Sequence, residues 1–348
     1  MENLLIVESP NKAKTIRQWL PKDKWNVFAS NGHIKNLPKQ QYSISLENNK
    51  VNAKWEILPE KKKLIEQLRE LISNSSKVYI GTDDDREGER IALDLIEHFK
   101  IKDYYRVLFH EITKENIVDS LKNGLYIDNN RTNSQKARRV IDRIIGYPIS
   151  SAIRDKFKKE KVATDEELKS FGIGRVTAAA INILVQNERR IQQFIPKKFK
   201  KIYISYIHEG LQFSVNNGMK FYEEHYEELG FLHTMTTNPE IDHVVEKYKQ
   251  DTRDAAPYPP LITSRILRNL NYLYHYETKK TEAILQKLFE GVEIYNEKEQ
   301  KMERVGLITY HRTDSFNISE KAIDEIRECL SERFEKEYIA DSKRVFKN

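Results

Sequence analysis

The sequence predicts an α/β fold joined to separate α and β parts: a parallel-sheet domain, a helical segment, a β segment and a mainly helical domain that carries a functional tyrosine. Three observations support this. Strand-like and helix-like stretches alternate over residues 3–126, the pattern of a parallel sheet with crossover helices. Over residues 128–199 the apolar spacing is almost wholly helical. From Lys200 the chain changes to aromatic and β-branched alternation up to about residue 254, and helical spacing returns past a stiff AAPYPP linker at 255–260. The expected boundaries are therefore 1–127, 128–199, 200–262 and 263–348, with no internal repeat.

The first strand is Asn3–Val7 (NLLIV), which delivers Glu8, Ser9 and Pro10 at its end. Pro10 is tolerated in the first turn of a helix that carries Lys12, Lys14 and Arg17. A Gly- and Pro-bounded loop, NGHIKNLP at 31–38, holds His33, and residues 38–55 form a polar excursion. Lys77–Ile80 (KVYI) is a second buried strand. GTDDDREGER follows at 81–90, and Ile91, Leu95 and Phe99 then recur as an amphipathic helix requires.

The acidic cluster therefore lies at the carboxyl end of a strand, where open α/β sheets bind ligands. Asp83, Asp85 and Glu87 alternate, so a turn into the helix can aim all three at one point while Asp84 and Arg86 face elsewhere. Converging carboxylates need a cation, and hard oxygen ligands favour Mg²⁺. Helix capping explains one or two acids at a helix start, not four within five residues. If the two strands are parallel neighbours, Glu8 joins this cluster. It is then a general acid and a further metal ligand, with Lys12 as a phosphate clamp.

In the helical segment Arg138, Arg139 and Arg143 surround Asp142, and Arg139 and Arg143 share a face. A basic face on a helix bearing Val140, Ile141, Ile144 and Ile145 suits a single-strand phosphate track, although a solvated stripe is the plainer reading. Arg175, in GIGRV, stands where a helix over 176–191 begins and suits a phosphate. Further helices are expected over 262–273, 278–289 and 319–334, the last capped by Asn317 or Ser319. Before that helix comes GLITYHRTDS at 306–315, read as a strand. In it Tyr310 is the candidate nucleophile, and Arg312 projects to the same side with its fork of donors. His311 projects to the other side, and His110 reads as structural. Tyr310 is one of 18 tyrosines, and an isolated Tyr-x-Arg is usually a packed tyrosine beside a solvated arginine.

The whole series of blocks resembles the type IA DNA topoisomerases. LLIVESPNKAKTI, NGHIKNLP and TDDDREGE look like that family's Toprim-domain motifs. FHEITKENI, QKARRVIDRIIGY, GIGRVTAAA, PPLITS and GLITYHRTDS follow in the family's order over nearly the whole chain. The resemblance implies a Toprim domain, a helical base segment, a β arch and a helical, winged-helix-like domain with the tyrosine. It also implies a reaction: ATP-independent cutting of one strand of underwound DNA, strand passage and rejoining, which relaxes negative supercoils. Tyr310 would form a 5′-phosphotyrosine and leave a 3′-hydroxyl, and Glu8 would protonate the departing oxygen. Lys12 and Arg312 would contact the phosphate, while Asp83, Asp85 and Glu87 would hold Mg²⁺. Arg138, Arg139, Asp142, Arg143, Arg175 and His33 would line the path of single-stranded DNA.

Some positions depart from the family pattern. Asp84 stands where an apolar residue or proline is usual, Thr177 replaces a glutamine, and Arg265 and Leu267 replace a threonine and a glutamine. Family members also continue past the point matching Asn348. The expectation is covalent cleavage by a monomer with little relaxation unaided, and a separate polypeptide is the candidate source of the remaining segments. Two other classes stay open: a Toprim nuclease or primase, which needs no Tyr310, and a catalytically silent DNA-binding remnant.

Composition agrees with a polyanion-binding, intracellular protein. Lys and Arg number 59 against 53 Asp and Glu, a net charge of +6. A single cysteine, Cys329, excludes a zinc ribbon and a disulfide framework. The four-residue apolar run at the amino terminus is too short for a signal peptide, and no stretch suits a membrane span. The expected setting is the cytoplasm, at the nucleoid.

Overall fold

The computed structural model describes residues 2–38, 41–48, 50–216, 218–247, 249–253, 255, 257–297, 299–340, 342, 344 and 346. In chain order the elements are β1 (Asn3–Val7), α1 (Pro10–Trp19), β2 (Trp25–Ala29), β3 (Lys35–Asn36), β4 (Ile44–Glu47), β5 (Lys50–Ala53) and β6 (Glu56–Ile57). Next come α2 (Lys62–Ser73), β7 (Lys77–Ile80), α3 (Arg86–Phe99), β8 (Tyr104–Arg106), α4 (Lys114–Lys122), α5 (Asn129–Glu160), α6 (Asp165–Ser170) and α7 (Arg175–Gln193). The chain continues with β9 (Tyr203–His208), β10 (Leu211–Asn216), α8 (Tyr226–Thr237), α9 (Thr263–Tyr274), α10 (Thr278–Glu290), β11 (Val292–Asn296), β12 (Lys301–Val305) and α11 (Glu320–Ser331). Residues fall into two units, Met1–Arg175 with Tyr258–Asn348, and Val176–Pro257.

In the larger unit, four parallel strands run in the order β2-β1-β7-β8. The central strand β1 is apolar from Leu4 to Val7 because both its faces are covered. Leu5 and Val7 point to a cluster with Ala13, Ile16, Val27, Phe109 and Phe289, and Leu4 and Ile6 to one with Ile34, Leu68, Ile80, Ile91 and Leu95. Fully burying each such side chain contributes roughly 1.5–3 kcal/mol. Phe289 lies on α10, so this late helix completes the core under the first strand. The same docking is fixed by polar contacts. The Thr15 hydroxyl donates to the Glu290 carbonyl at 2.6 Å, and the Gln18 side-chain amide donates to the Arg304 carbonyl at 2.9 Å and accepts from Arg304 N–H at 3.1 Å.

The smaller unit contains the antiparallel pair β9–β10, closed by Glu209 and Gly210, both at positive φ as a two-residue hairpin turn requires. The expectation of strands up to about residue 254 is only half met. After β10 the chain forms helix α8, whose first turn carries Glu227 and Glu228, favourable at a helix amino terminus. Residue 254 and part of the 255–260 linker lie outside the described residues.

A second correction concerns the tyrosine. Residues 306–315 form no strand; the backbone is irregular, with a bend at Ile308. Gly306 N–H donates to the Ile112 carbonyl at 3.1 Å and Tyr310 N–H to the His110 carbonyl at 2.8 Å. These carbonyls belong to the loop beyond β8, not to a strand, so no ladder can form. The polar excursion at 38–55 contains the β4–β5 hairpin and is flanked by the short β3–β6 pair. Ser319 caps α11, its hydroxyl accepting from Ala322 N–H at 3.2 Å, while Asn317 does not. No described helix is long and apolar enough to cross a membrane.

Candidate active site

The site begins where β1 and β7 end side by side. Glu8 is the first residue past β1, and Ser9 caps α1 by accepting from Lys12 N–H at 3.1 Å. That cap turns the buried Lys12 side chain onto Asp83, with which it forms a tight ion pair. Asp83 N–H in turn donates to Glu8 Oε2 at 3.3 Å. The turn that presents Asp83 is held from below by Arg106, which is 1 % exposed. Its guanidinium donates to the carbonyls of Ile80, Thr82, Asp83 and Val107 and to Glu89 at 2.8 Å. Gly88 permits the tightness of this turn: a Cβ there would sit 2.2 Å from the Asp83 carbonyl oxygen.

Asp85 caps α3, its Oδ1 accepting from Gly88 N–H at 2.8 Å. Its other oxygen, Oδ2, accepts the Tyr310 hydroxyl at 2.5 Å and lies 3.7 Å from Arg312 Nη1. The late tyrosine and the early acids therefore meet. Tyr310 packs edge-on against Phe289 at 5.1 Å, and Lys12 Nζ lies over the other ring at 5.5 Å. Burial, then the charges of Asp83 and Asp85, push the phenol well above its usual pKa. Glu8 is pushed up to about 7, first by burial and then by Asp83. Burial also opposes ionisation of Asp83, but Lys12 more than offsets it and holds that carboxyl below its usual range. His311 is buried, with neither ring nitrogen bonded among the described residues, and burial followed by the Arg312 charge lowers its pKa.

The three alternating acids do not converge. Glu87 turns away to the other side, where its Oε2 takes hydrogen bonds from His33 at 2.7 Å, Gln135 at 3.1 Å and Arg139 at 3.5 Å. The His33 bond is the main reason its pKa falls to about 2. Burial opposes protonation of His33, but its contacts with Asp94 and Glu87 win and raise its pKa. Among the described residues no three His, Cys, Asp or Glu side chains form a ready metal cage. Each acid has its own partner: Asp83 is drawn to Lys12, Asp85 to the cap and the phenol, and Glu87 to His33 and α5. Asp84, expected to face elsewhere, pairs with Arg131 and approaches His110 Nδ1 at 3.6 Å.

The basic residues of α5 divide. Arg139 also bonds Asn36 at 2.7 Å, and Arg143 donates to the Gln41 carbonyl at 2.7 Å while lying over Tyr147. Together with Asp142, Leu37 and Tyr147 they line an open hollow. Arg138 stays at the exposed surface, 3.9 Å from Asp142, and Arg175 donates to Asp142 at 3.0 Å.

Comparison with known proteins agrees with this geometry. The Toprim domain profile matches residues 3–112, and the DNA topoisomerase profile matches residues 126–348. The chain belongs to the type IA DNA topoisomerases. It is 33 % identical to DNA topoisomerase 1 of Campylobacter jejuni, over 99 % of this chain and 47 % of that protein. For DNA topoisomerase 1 of Aquifex aeolicus the identity is 35 %, over 98 % and 58 %. Full-length topoisomerase I from Thermotoga maritima superposes with a TM-score of 0.75 at 30 % identity, over 95 % of this chain and 52 % of that one. The chain spans about half the length of the relatives it matches.

Several residues that build this topoisomerase site were not among those singled out from sequence. Arg106 and Glu89 form its buried support, Gln135 and Asn36 hold Glu87 and Arg139, and the His110 backbone anchors Tyr310. Glu89, the fifth acid of DDDREGE, carried the available signal: it lies outside the three-acid set and falls among the apolar positions of α3, so it needs a buried partner.

Proposed function

We propose that this chain cleaves and rejoins single-stranded or underwound DNA through a covalent phosphotyrosine, the breakage and rejoining steps that relax negative supercoils. The observation that supports it most is the Tyr310 hydroxyl on Asp85, above the Lys12–Asp83–Glu8 group. The phenolic oxygen attacks phosphorus, the bond to the 3′-oxygen breaks, and the DNA 5′ end stays on the enzyme. The phosphodiester's energy is kept in the tyrosyl ester, so rejoining needs no ATP. Asp85 is the acceptor already in reach of the phenolic proton. Glu8, with a pKa of about 7, suits proton delivery to the departing 3′-oxygen near neutral pH and its recovery on rejoining. Arg312 and Lys12 offset the charge that builds on the phosphate.

Mg²⁺ fits part of the expected set. The half-buried Glu8 and the buried Asp83 are adjacent carboxylates, Asp83 paired with Lys12, and Asp85 lies within the same field around Arg312. These three oxygen donors would hold the ion, and Glu87 as it stands would not. Bound there, Mg²⁺ would neutralise the acids that now keep Tyr310 protonated. The DNA strand would run along α5, past Arg138, Arg139, Asp142, Arg143 and Arg175, with His33 beside it. We place the work on chromosomal DNA in the cytoplasm, by a monomer.

The test is incubation with Mg²⁺ and single-stranded DNA labelled at its 3′ end, followed by denaturation. Label should travel with the protein, and Tyr310→Phe should abolish that transfer while changing stability by less than about 1.5 kcal/mol. Free cleavage products that survive the substitution would indicate a nuclease instead, and DNA retention without cutting a silent binder.

A further inference from the structure

Glu87 holds a position that a metal ligand does not explain. Three donors from two parts of the chain converge on one of its oxygens: His33 from the loop after β2, and Gln135 and Arg139 from α5. Arg139 is steadied by Asn36, and His33 lies 3.8 Å from Asp94 on its other nitrogen. Gln135 is buried and His33 and Arg139 are 18 % and 27 % exposed, whereas Glu87 itself is 46 % exposed. A pre-formed set of donors thus opens to solvent and is covered only by a flexible carboxylate. An imidazole, an amide and a guanidinium fork around one anionic oxygen are the donors a backbone phosphate recruits. Arg139 lies one helical turn from Arg143 on the same face of α5.

We propose that His33, Gln135 and Arg139 form a binding site for one DNA backbone phosphate, and that Glu87 occupies it as a stand-in until DNA displaces it. This rests on the DNA-binding reading above. The exchange swaps one anion for another, so the site keeps its geometry without a strand, and a bare phosphate competes poorly. Only a ligand held elsewhere along α5 gains enough local concentration to displace a tethered carboxylate.

The test measures the affinity of a fluorescent 12-nucleotide oligo(dT) in EDTA, so that no metal takes part. Glu87→Gln should tighten binding by about three- to tenfold, the scale of one charge-assisted contact at a half-exposed site. Glu97→Gln, which removes an equal charge beside Lys35, controls for general electrostatics and should change affinity less than about twofold. In an Arg139→Ala or Gln135→Ala background the gain from Glu87→Gln should vanish. An equal gain from both glutamines, no gain from Glu87→Gln, or an undiminished gain without Arg139 would overturn the proposal. Glu87→Ala is the second variant and should act in the same direction. The covalent-transfer assay judges the enzymatic reading separately: absent label transfer with a cradle-dependent gain at Glu87 sinks that reading and leaves the phosphate site standing.

Discussion

The strand-end acids and the tyrosine segment meet at one hydrogen bond, yet they are built by different means. Glu8, Lys12, Asp83 and Asp85 sit on strand ends and helix caps, and Arg106 pins the turn between them through five groups. Residues 306–315 have no regular structure. They are held at intervals by the carbonyls of Ile112, Leu288 and His110, and at the far side by the Thr263 hydroxyl. The comparison teaches that the acids are a fixed floor and the segment of the proposed nucleophile a detachable part. Few bonds must break to lift Tyr310, whereas moving Asp83 means breaking a buried ion network.

The largest effect should come from the floor. Arg106→Leu leaves Glu89 buried without its partner and should cost about 3–5 kcal/mol in urea unfolding. A loss under about 1 kcal/mol would end the claim that the floor is the rigid half. Gly88→Ala should come next, at about 1–3 kcal/mol, because the new methyl meets the Asp83 backbone rather than a side chain that can move. Label transfer should fall with it, since the displaced group is the turn carrying the acids.

Acidity sharpens the contrast further. Glu8 has a folded pKa of about 7 against 4.5 for the free group, so the folded state binds the extra proton between these values. Its stabilising contribution is complete below about pH 4.5 and is lost as pH rises through 7, with a slope no steeper than about 1.4 kcal/mol per pH unit. Unfolding midpoints measured across this window should fall with pH in the metal-free protein, and Glu8→Gln should remove that share of the slope. Glu87 works the other way: its contribution is present above 4.5 and is lost as pH falls towards 2. The smallest effect belongs to the tyrosine segment. Thr263→Ala removes bonds to His311 and Thr313 and should cost only about 1 kcal/mol. Amide exchange should quicken at Tyr310 and stay unchanged at Ile6; equal acceleration at both would show that the two regions open together.

Much of this was readable along the chain. The apolar run at residues 3–7, the proline opening α1 and the acids entering α3 each carry a local signal, and each element forms where that signal lies. The tyrosine segment misled because an apolar run looks like a strand whether or not a partner strand exists. The α8 helix was missed for a related reason: its sequence is weakly amphipathic, and the preceding hairpin suggested that alternation would continue. Convergence of the acids failed because alternation fixes which side a residue faces only inside a regular strand, and these residues span a turn.

The sequence by itself determined the parallel sheet, the helix starts, the chemical types at the site and the choice of Tyr310 as candidate nucleophile. These follow from spacing, capping and the order of the motifs, all of which act over a few residues. Tertiary structure alone decided which carboxylate meets which cation: Asp83 takes Lys12, Asp85 takes the phenol, and Glu87 goes to α5. Charges of one sign placed close together are distributed by whatever opposite charges and donors the fold brings near. Those partners come from residues tens to hundreds of positions away, which no local pattern can specify.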